Sequence, residues 1–335
     1  MVRTSCCGAV HIPTGDKGMI RKTSKGKAAV VFAAAALALS ACGGGGVDAA
    51  ASDAPAGGDC GAYTIAMHAW TGYTASAQVI TNVAEAAGCT ITQTELAENA
   101  VTYDAMEAGT IDLEVEDWGG GRWQEWVDRG AVVELGTDGN IGHIGMFVPK
   151  WMAEEYPDIT DSANLNKYAD LFVTPESKGK GAWLEGPPDY TTIGEKQIAA
   201  NKLNYTLIPT GSEQALIDAF TKGTNDKTPV LGYWWAPHYL LAQLGLVEVK
   251  FPASDWTDPA MASGLTGHPE QELQKLASKR LAESTDAFGK IAKNFKWTNE
   301  DQNAVAADIA GGMDPKEAAQ KWIDANADTV ASWTK

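Results

Sequence analysis

The chain has 335 residues, 44% of them apolar and 21% charged, a globular composition with room for two lobes of ordinary domain size. Its formal net charge is −17. Six of the 26 Lys/Arg and one of the 43 Asp/Glu precede Cys42, so the remainder carries about −22. An acidic body argues against nucleic acid, which needs a basic face. It is compatible with a cationic ligand, although acidic solubility alone accounts for it.

Residues 1–42 read as an address. Arg21, Lys22, Lys25 and Lys27 form a basic region, followed by an apolar run over 28–39. That run has signal-peptide length and is too short to span a bilayer. Leu39-Ser40-Ala41-Cys42-Gly43 resembles a bacterial lipobox, which implies cleavage before Cys42, lipidation of its thiol and an extracytoplasmic, membrane-anchored product. Met19 is an alternative start. Residues 43–60, rich in Gly, Ala, Ser and Asp, read as a flexible tether. Of the five cysteines, Cys6 and Cys7 go with the leader and Cys42 with the lipid. Cys60 and Cys89 remain as an even pair in an exported chain and open two neighbouring strands. A disulfide is expected, two free thiols being the other reading.

The spacing then predicts a strand over 63–69, with Trp70-Thr71-Gly72-Tyr73-Thr74 at its carboxyl end. A helix over 75–87 follows, with Thr74 as N-cap and Gly88 as stop. A strand at 90–96, a helix at 99–108, a strand at 111–116 and a short helix at 124–128 come next. Short strands at 132–133 and 144–148 lead to Pro149. This β-α-β-α-β order argues for a parallel sheet covered by helices. The pattern restarts with a helical turn at 151–155, a loop with a short helix at 165–172 and a strand at 181–184. A rigid turn at 185–190, a helix at 192–202, a strand at 205–208 and a helix at 212–221 capped by Ser212 follow. The last strand of this set, 228–235, leads into a short helix closed by Gly245. Helices are predicted over 270–283, 286–294, 299–310 and 315–326, a tail expected to return over the first lobe. The domain reading is therefore 61–148 plus 251–335 for lobe 1 and 149–250 for lobe 2.

Aromatics gather at strand ends: Trp70, Trp118, Tyr190, and Trp234-Trp235 in the stretch Gly232-Tyr233-Trp234-Trp235-Ala236-Pro237-His238-Tyr239. Open α/β sheets place ligands there, and electron-rich ring faces attract cations that cannot donate hydrogen bonds. The same rings would stack on sugars. Adjacent strand residues point to opposite faces, so at least one of Trp234 and Trp235 is expected to face a ligand. His238, at a helix start, is a candidate donor to a carboxylate, aided by helix N-terminal amides. Asp189 and Glu116 are candidates for negative charge beside a cation. Catalytic signatures are lacking: Gly119-Gly120-Gly121 is followed by Arg122-Trp123, unlike a pyrophosphate loop, and the five histidines are scattered without zinc spacing. Neither enzyme activity, metal nor cofactor is expected.

These stretches resemble the glycine betaine/choline/proline-betaine binding proteins of ABC importers. The similarity lies in Trp70-Thr71-Gly72-Tyr73-Thr74-Ala75-Ser76-Ala77, in 109–118 ending at Trp118, in 145–149 with 161–172, in 232–246 and in 314–333. It implies an α/β, two-lobed periplasmic-binding-protein fold of type II closing over ligand in the interlobe cleft. An aromatic cage of Trp70, Trp118 and Trp235 is implied, with Tyr190 as fourth candidate, His238 at the ligand's carboxylate, and Trp234 with Tyr233 left to packing. Implied partners are a small quaternary ammonium ligand and a membrane permease; a monomer is expected. Choline-selective relatives tend to carry aspartate where Gly72 stands, which favours a betaine unless Asp189 or Glu116 substitutes; carnitine stays open. An exported glycan-binding protein or glycosidase is the alternative, and a ligand sensor touching a signalling partner a third.

Overall fold

The computed structural model describes residues 60–335. The expected signal peptide, lipobox, Cys42 and nearly all of the tether lie outside the described residues. In chain order the elements are β1 (Ala62–Met67), α1 (Thr71–Ala86), β2 (Thr90–Glu95), α2 (Ala100–Glu107), β3 (Leu113–Asp117), α3 (Gln124–Asp128), β4 (Val132–Pro149) and α4 (Lys150–Glu155). Two 3-10 segments, Pro157–Thr160 and Ser162–Phe172, lead to β5 (Gly181–Glu185), α5 (Gly194–Ala200), β6 (Tyr205–Pro209), α6 (Glu213–Asn225), β7 (Gly232–Ala236), α7 (Leu240–Leu244) and β8 (Leu246–Val249). The chain ends with α8 (Pro259–Ser263), β9 (Gln271–Ser278), α9 (Lys279–Glu283), α10 (Ala287–Asn294), α11 (Asn299–Ala310), α12 (Pro315–Ala325) and α13 (Ala327–Trp333).

The strands run in the order β2-β1-β3-β9-β4-β7-β5-β6, with β8 also on β4. The connections β1-α1-β2 and β5-α5-β6 join parallel strands, as crossover helices require. At the centre, β9 lies antiparallel to both β3 and β4. β4 changes partner along its length: 132–142 pair with β9, 143–147 with β7 and 146–149 with β8. One strand therefore belongs to two half-sheets. Helices α10, α11 and α12 pack against α1. Cys60 and Cys89 are joined by a disulfide beside the parallel pair β1–β2, where Ala62 is level with Thr90.

Three local expectations are corrected. The expected short strands at 132–133 and 144–148 are one 18-residue strand. The polar, glycine-bearing stretch between them reads as a turn. Instead, Gly136 and Gly139 adopt positive φ (84° and 98°), and the register shifts beside them, so the strand bulges and continues. A Cβ at Gly139 would come within 2.2 Å of the Trp297 carbonyl oxygen. Next, 270–283 is not one helix: β9 occupies 271–278. Leu273 and Leu276 fit a helical period, but the segment lies between two strands and hydrogen-bonds to both, and this pairing overrides propensity. Finally, α1 begins at Thr71, three residues before the expected cap. Trp70 is the N-cap residue, with extended backbone and no side-chain cap of its own. The first-turn amide of Thr71 instead donates to Glu213 on α6, 142 residues away, a cap that no local pattern can announce.

Candidate ligand-binding site

Trp70 follows β1, Trp118 follows β3, Tyr190 lies between β5 and α5, and Tyr233 and Trp235 share one face of β7. Together with Glu98 and Thr191 they line one small cavity. The rings meet edge to face. Trp70 and Tyr190 have centroids 5.5 Å apart at 72°, and Tyr190 and Trp235 5.6 Å apart at 85°. Tyr233 stands 5.8 Å from Trp235. The three tryptophans and Tyr233 are buried. Contacts cross the cleft: Tyr190 Oη donates to the Ala69 carbonyl at 3.3 Å, and Thr191 Oγ1 to that of Trp118 at 3.4 Å.

Buried carboxylates stand behind the cage. Trp118 Nε1 donates to Glu116 Oε1 at 2.8 Å, while Glu116 Oε2 receives Ser76 Oγ at 3.0 Å and the Gln302 amide. Glu98 Oε1 accepts from the Trp118 amide at 2.8 Å and from Arg122 Nη2 at 3.0 Å. Burial pushes the carboxyl groups of Glu98, Glu114, Glu116 and Asp117 upward; for Glu98 and Glu114 the neighbouring Asp117 pushes the same way. The cage thus rests on a tract that resists full ionisation, with Arg122 opposing that trend at all but Glu116.

Of the residues singled out from sequence, Trp70, Trp118, Tyr190 and Trp235 come together on the cavity wall. Trp234 is fully buried against Phe220, at 5.0 Å. Three others lie elsewhere. Glu116 is behind Trp118. Asp189 borders a separate surface cavity with His68 and Thr74. His238 does not line the cage: its Nδ1 accepts from the Leu240 amide at 3.1 Å, and its Nε2 faces Glu213 Oε1 at 3.2 Å. Its ring instead packs edge-on against Trp235 at 4.6 Å. Sequence reasoning missed Glu98, Thr191 and Tyr233. Tyr233, assigned to packing, lies two residues before Trp235 and so on the same strand face, a signal that was available. Nothing in the sequence marked Glu98.

A cleft between two half-sheets, walled by aromatic faces from both, is the arrangement of a protein that encloses a small solute. The fold is the two-lobed type II periplasmic-binding-protein fold. It superposes on lactococcal OpuAC in its closed form with glycine betaine (TM-score 0.64, 23% identity, 82% of this chain and 99% of that one). It is equally similar to an ABC-transporter choline-binding protein in complex with choline (TM-score 0.65, 16% identity, 82% and 91%).

Residues 61–325 match the model of the substrate binding domain of ABC-type glycine betaine transport systems, and the chain belongs to that family. It is 25% identical over 283 residues to the trimethylamine N-oxide-binding protein of Pelagibacter ubique, covering 81% of this chain and 88% of that protein. It is 32% identical over 127 residues to the glycine betaine/carnitine transport binding protein GbuC of Listeria monocytogenes; there the match spans 38% of this chain and 39% of the relative's length. The family is one of substrate-binding receptors rather than enzymes. Among the described residues no helix is long and apolar enough to cross a membrane.

Proposed function

We propose that the chain captures a trimethylammonium compound in the cage of Trp70, Trp118, Tyr190, Tyr233 and Trp235 and delivers it to the permease of an ABC importer. The observation that carries this reading is the convergence of five aromatic rings, from sequence-distant segments, on one small cavity. Each ring face contributes roughly 0.5–2 kcal/mol toward a cation without a hydrogen bond. The family and the relatives named above support the same ligand class. We infer two lobes, the first built on 61–148 and 251–335 and the second on 149–250, with the second half of β4 joining the lobe-2 strands. Both lobes supply cage walls, so a bound cation favours the closed form. The stretch 39–43 supports a lipid anchor at Cys42, hence an extracytoplasmic, membrane-tethered receptor.

A thermal-shift panel tests the ligand class. Glycine betaine, choline, carnitine and trimethylamine N-oxide are set against oligosaccharides. At least one trimethylated amine raises the melting temperature; a rise with oligosaccharides alone overturns the reading in favour of sugar stacking.

A further inference from the structure

We propose that Glu213 is the latch of the closed cleft: a positioning residue that touches no ligand, caps α1 of the first lobe from α6 of the second, and sets how long the cage holds its cation. This rests on the cage reading and on the two lobes inferred above. Helix α1 lacks a cap of its own. Trp70 stands at the N-cap without a side-chain hydrogen bond, and no acidic residue lies in the first turn. The positive amino end of this 16-residue helix therefore has no local side-chain partner. Glu213 supplies one from 142 residues away. Its Oε2 receives the Thr71 amide at 3.0 Å and the Thr71 hydroxyl at 2.7 Å, and the side chain is buried where it does so. Helix α6 does not need this carboxylate, because Ser212 already caps it by accepting from the Ala215 amide.

The latch meets a neighbour of each cage wall without lining the cavity itself. On one side Thr71 is the residue after Trp70, so fixing its amide fixes the turn that aims the Trp70 ring. On the other side Oε1 lies 3.2 Å from Nε2 of His238, whose ring packs edge-on against Trp235 at 4.6 Å. The Tyr190 and Thr191 contacts across the same cleft are uncharged and longer, at 3.3 and 3.4 Å. A carboxylate held by two donors is the stronger fastening. Opening the cleft parts α6 from α1 and returns Glu213 and the Thr71 amide to water separately. A ligand approaching the open cleft meets neither bond; a ligand leaving the closed cleft has to break both. Glu213 therefore acts on release and not on entry.

The test is stopped-flow tryptophan fluorescence on the full chain, with glycine betaine, choline, carnitine and trimethylamine N-oxide as probes. For each probe that binds, Glu213→Ala should speed dissociation about tenfold and leave association within about threefold. Thr71→Val keeps the amide bond, loses the hydroxyl and should give a smaller acceleration. The double variant should release ligand no faster than Glu213→Ala alone, as expected of two positions acting through one contact. If the alanine variant does not fold, Glu213→Gln, which keeps an acceptor oxygen and loses the charge, should still speed dissociation about threefold. Thermal melts separate the latch from a purely structural contact: the Glu213 variants should lose melting temperature mainly in the presence of ligand. Unchanged dissociation, or an equal fall in melting temperature with and without ligand, overturns the latch and leaves the cage standing. Binding of none of the four probes by the folded parent overturns both.

Discussion

The indole of Trp118 is held by Glu116, two residues before it, through a 2.8 Å hydrogen bond from Nε1 to Oε1. Ser76 on α1 and Gln302 on α11 hold the other carboxylate oxygen, so three elements fix the plane of one cage ring. Glu116→Ala should weaken ligand binding about fivefold, near 1 kcal/mol, without touching the ligand. Glu116→Gln, whose side-chain oxygen still accepts from the indole, should recover most of that loss. Equal losses in the two variants would show that the carboxylate does not act through Trp118.

Trp70 and Trp235 come from opposite sides of the cleft and both border Tyr190, at 5.5 and 5.6 Å. Replacing either by alanine removes one cation-facing ring and one support of Tyr190. Each single variant should lose at least tenfold in affinity, roughly 1.4 kcal/mol. Titrations indistinguishable from the unmodified protein for both variants would remove these residues from the cage.

Glu185 ends β5 without lining the cage cavity, buried, with Oε1 accepting from the Gly186 amide at 3.1 Å. Burial raises its carboxyl from the ordinary 4.5 to about 7. A raised acid keeps its proton in the folded chain when the unfolded chain has lost it, so stability falls as pH rises from about 4.5 to about 7 and is flat above. The accumulated loss is on the order of 3 kcal/mol. Glu185→Gln should therefore melt higher than the parent at pH 8 and match it near pH 4.5. A parallel pH profile for the two proteins would refute the assignment.

The disulfide between Cys60 and Cys89 closes a 29-residue separation at the sheet edge. Replacing both by serine should cost roughly 2–4 kcal/mol of stability and leave ligand affinity unchanged, since neither residue lines the cavity. Thermal melts with and without reductant check this; no reductant effect on the parent would mean the bond contributes nothing.

The βαβ alternation, most helix positions and the tryptophans at strand ends were legible because each has a local cause: apolar period, capping residue, glycine stop. Asn299–Ala310 follows the Thr298 cap as read, with a full capping box. What was not legible depends on partners far along the chain. β9 is a strand because β3 and β4 flank it, and α1 starts at Thr71 because Glu213 arrives from another element. His238 was read as facing the ligand for the same reason: sequence says nothing of Glu213, whose Oε1 lies 3.2 Å from its Nε2 away from the cage wall. Glu98 reaches the cage from the loop after β2, where no aromatic marks the position.

The partner change in β4 falls between Gly142, level with Gln271, and His143, level with Ala236. Because the backbone runs unbroken through that point, cleft opening cannot be taken up there by a slack loop. It has to be absorbed as twist in a hydrogen-bonded strand, which resists and returns like a torsion spring. Opening amplitude would then be tuned by stiffness at 142–144, and amide exchange at those residues, compared with and without ligand, reads how far the spring unwinds.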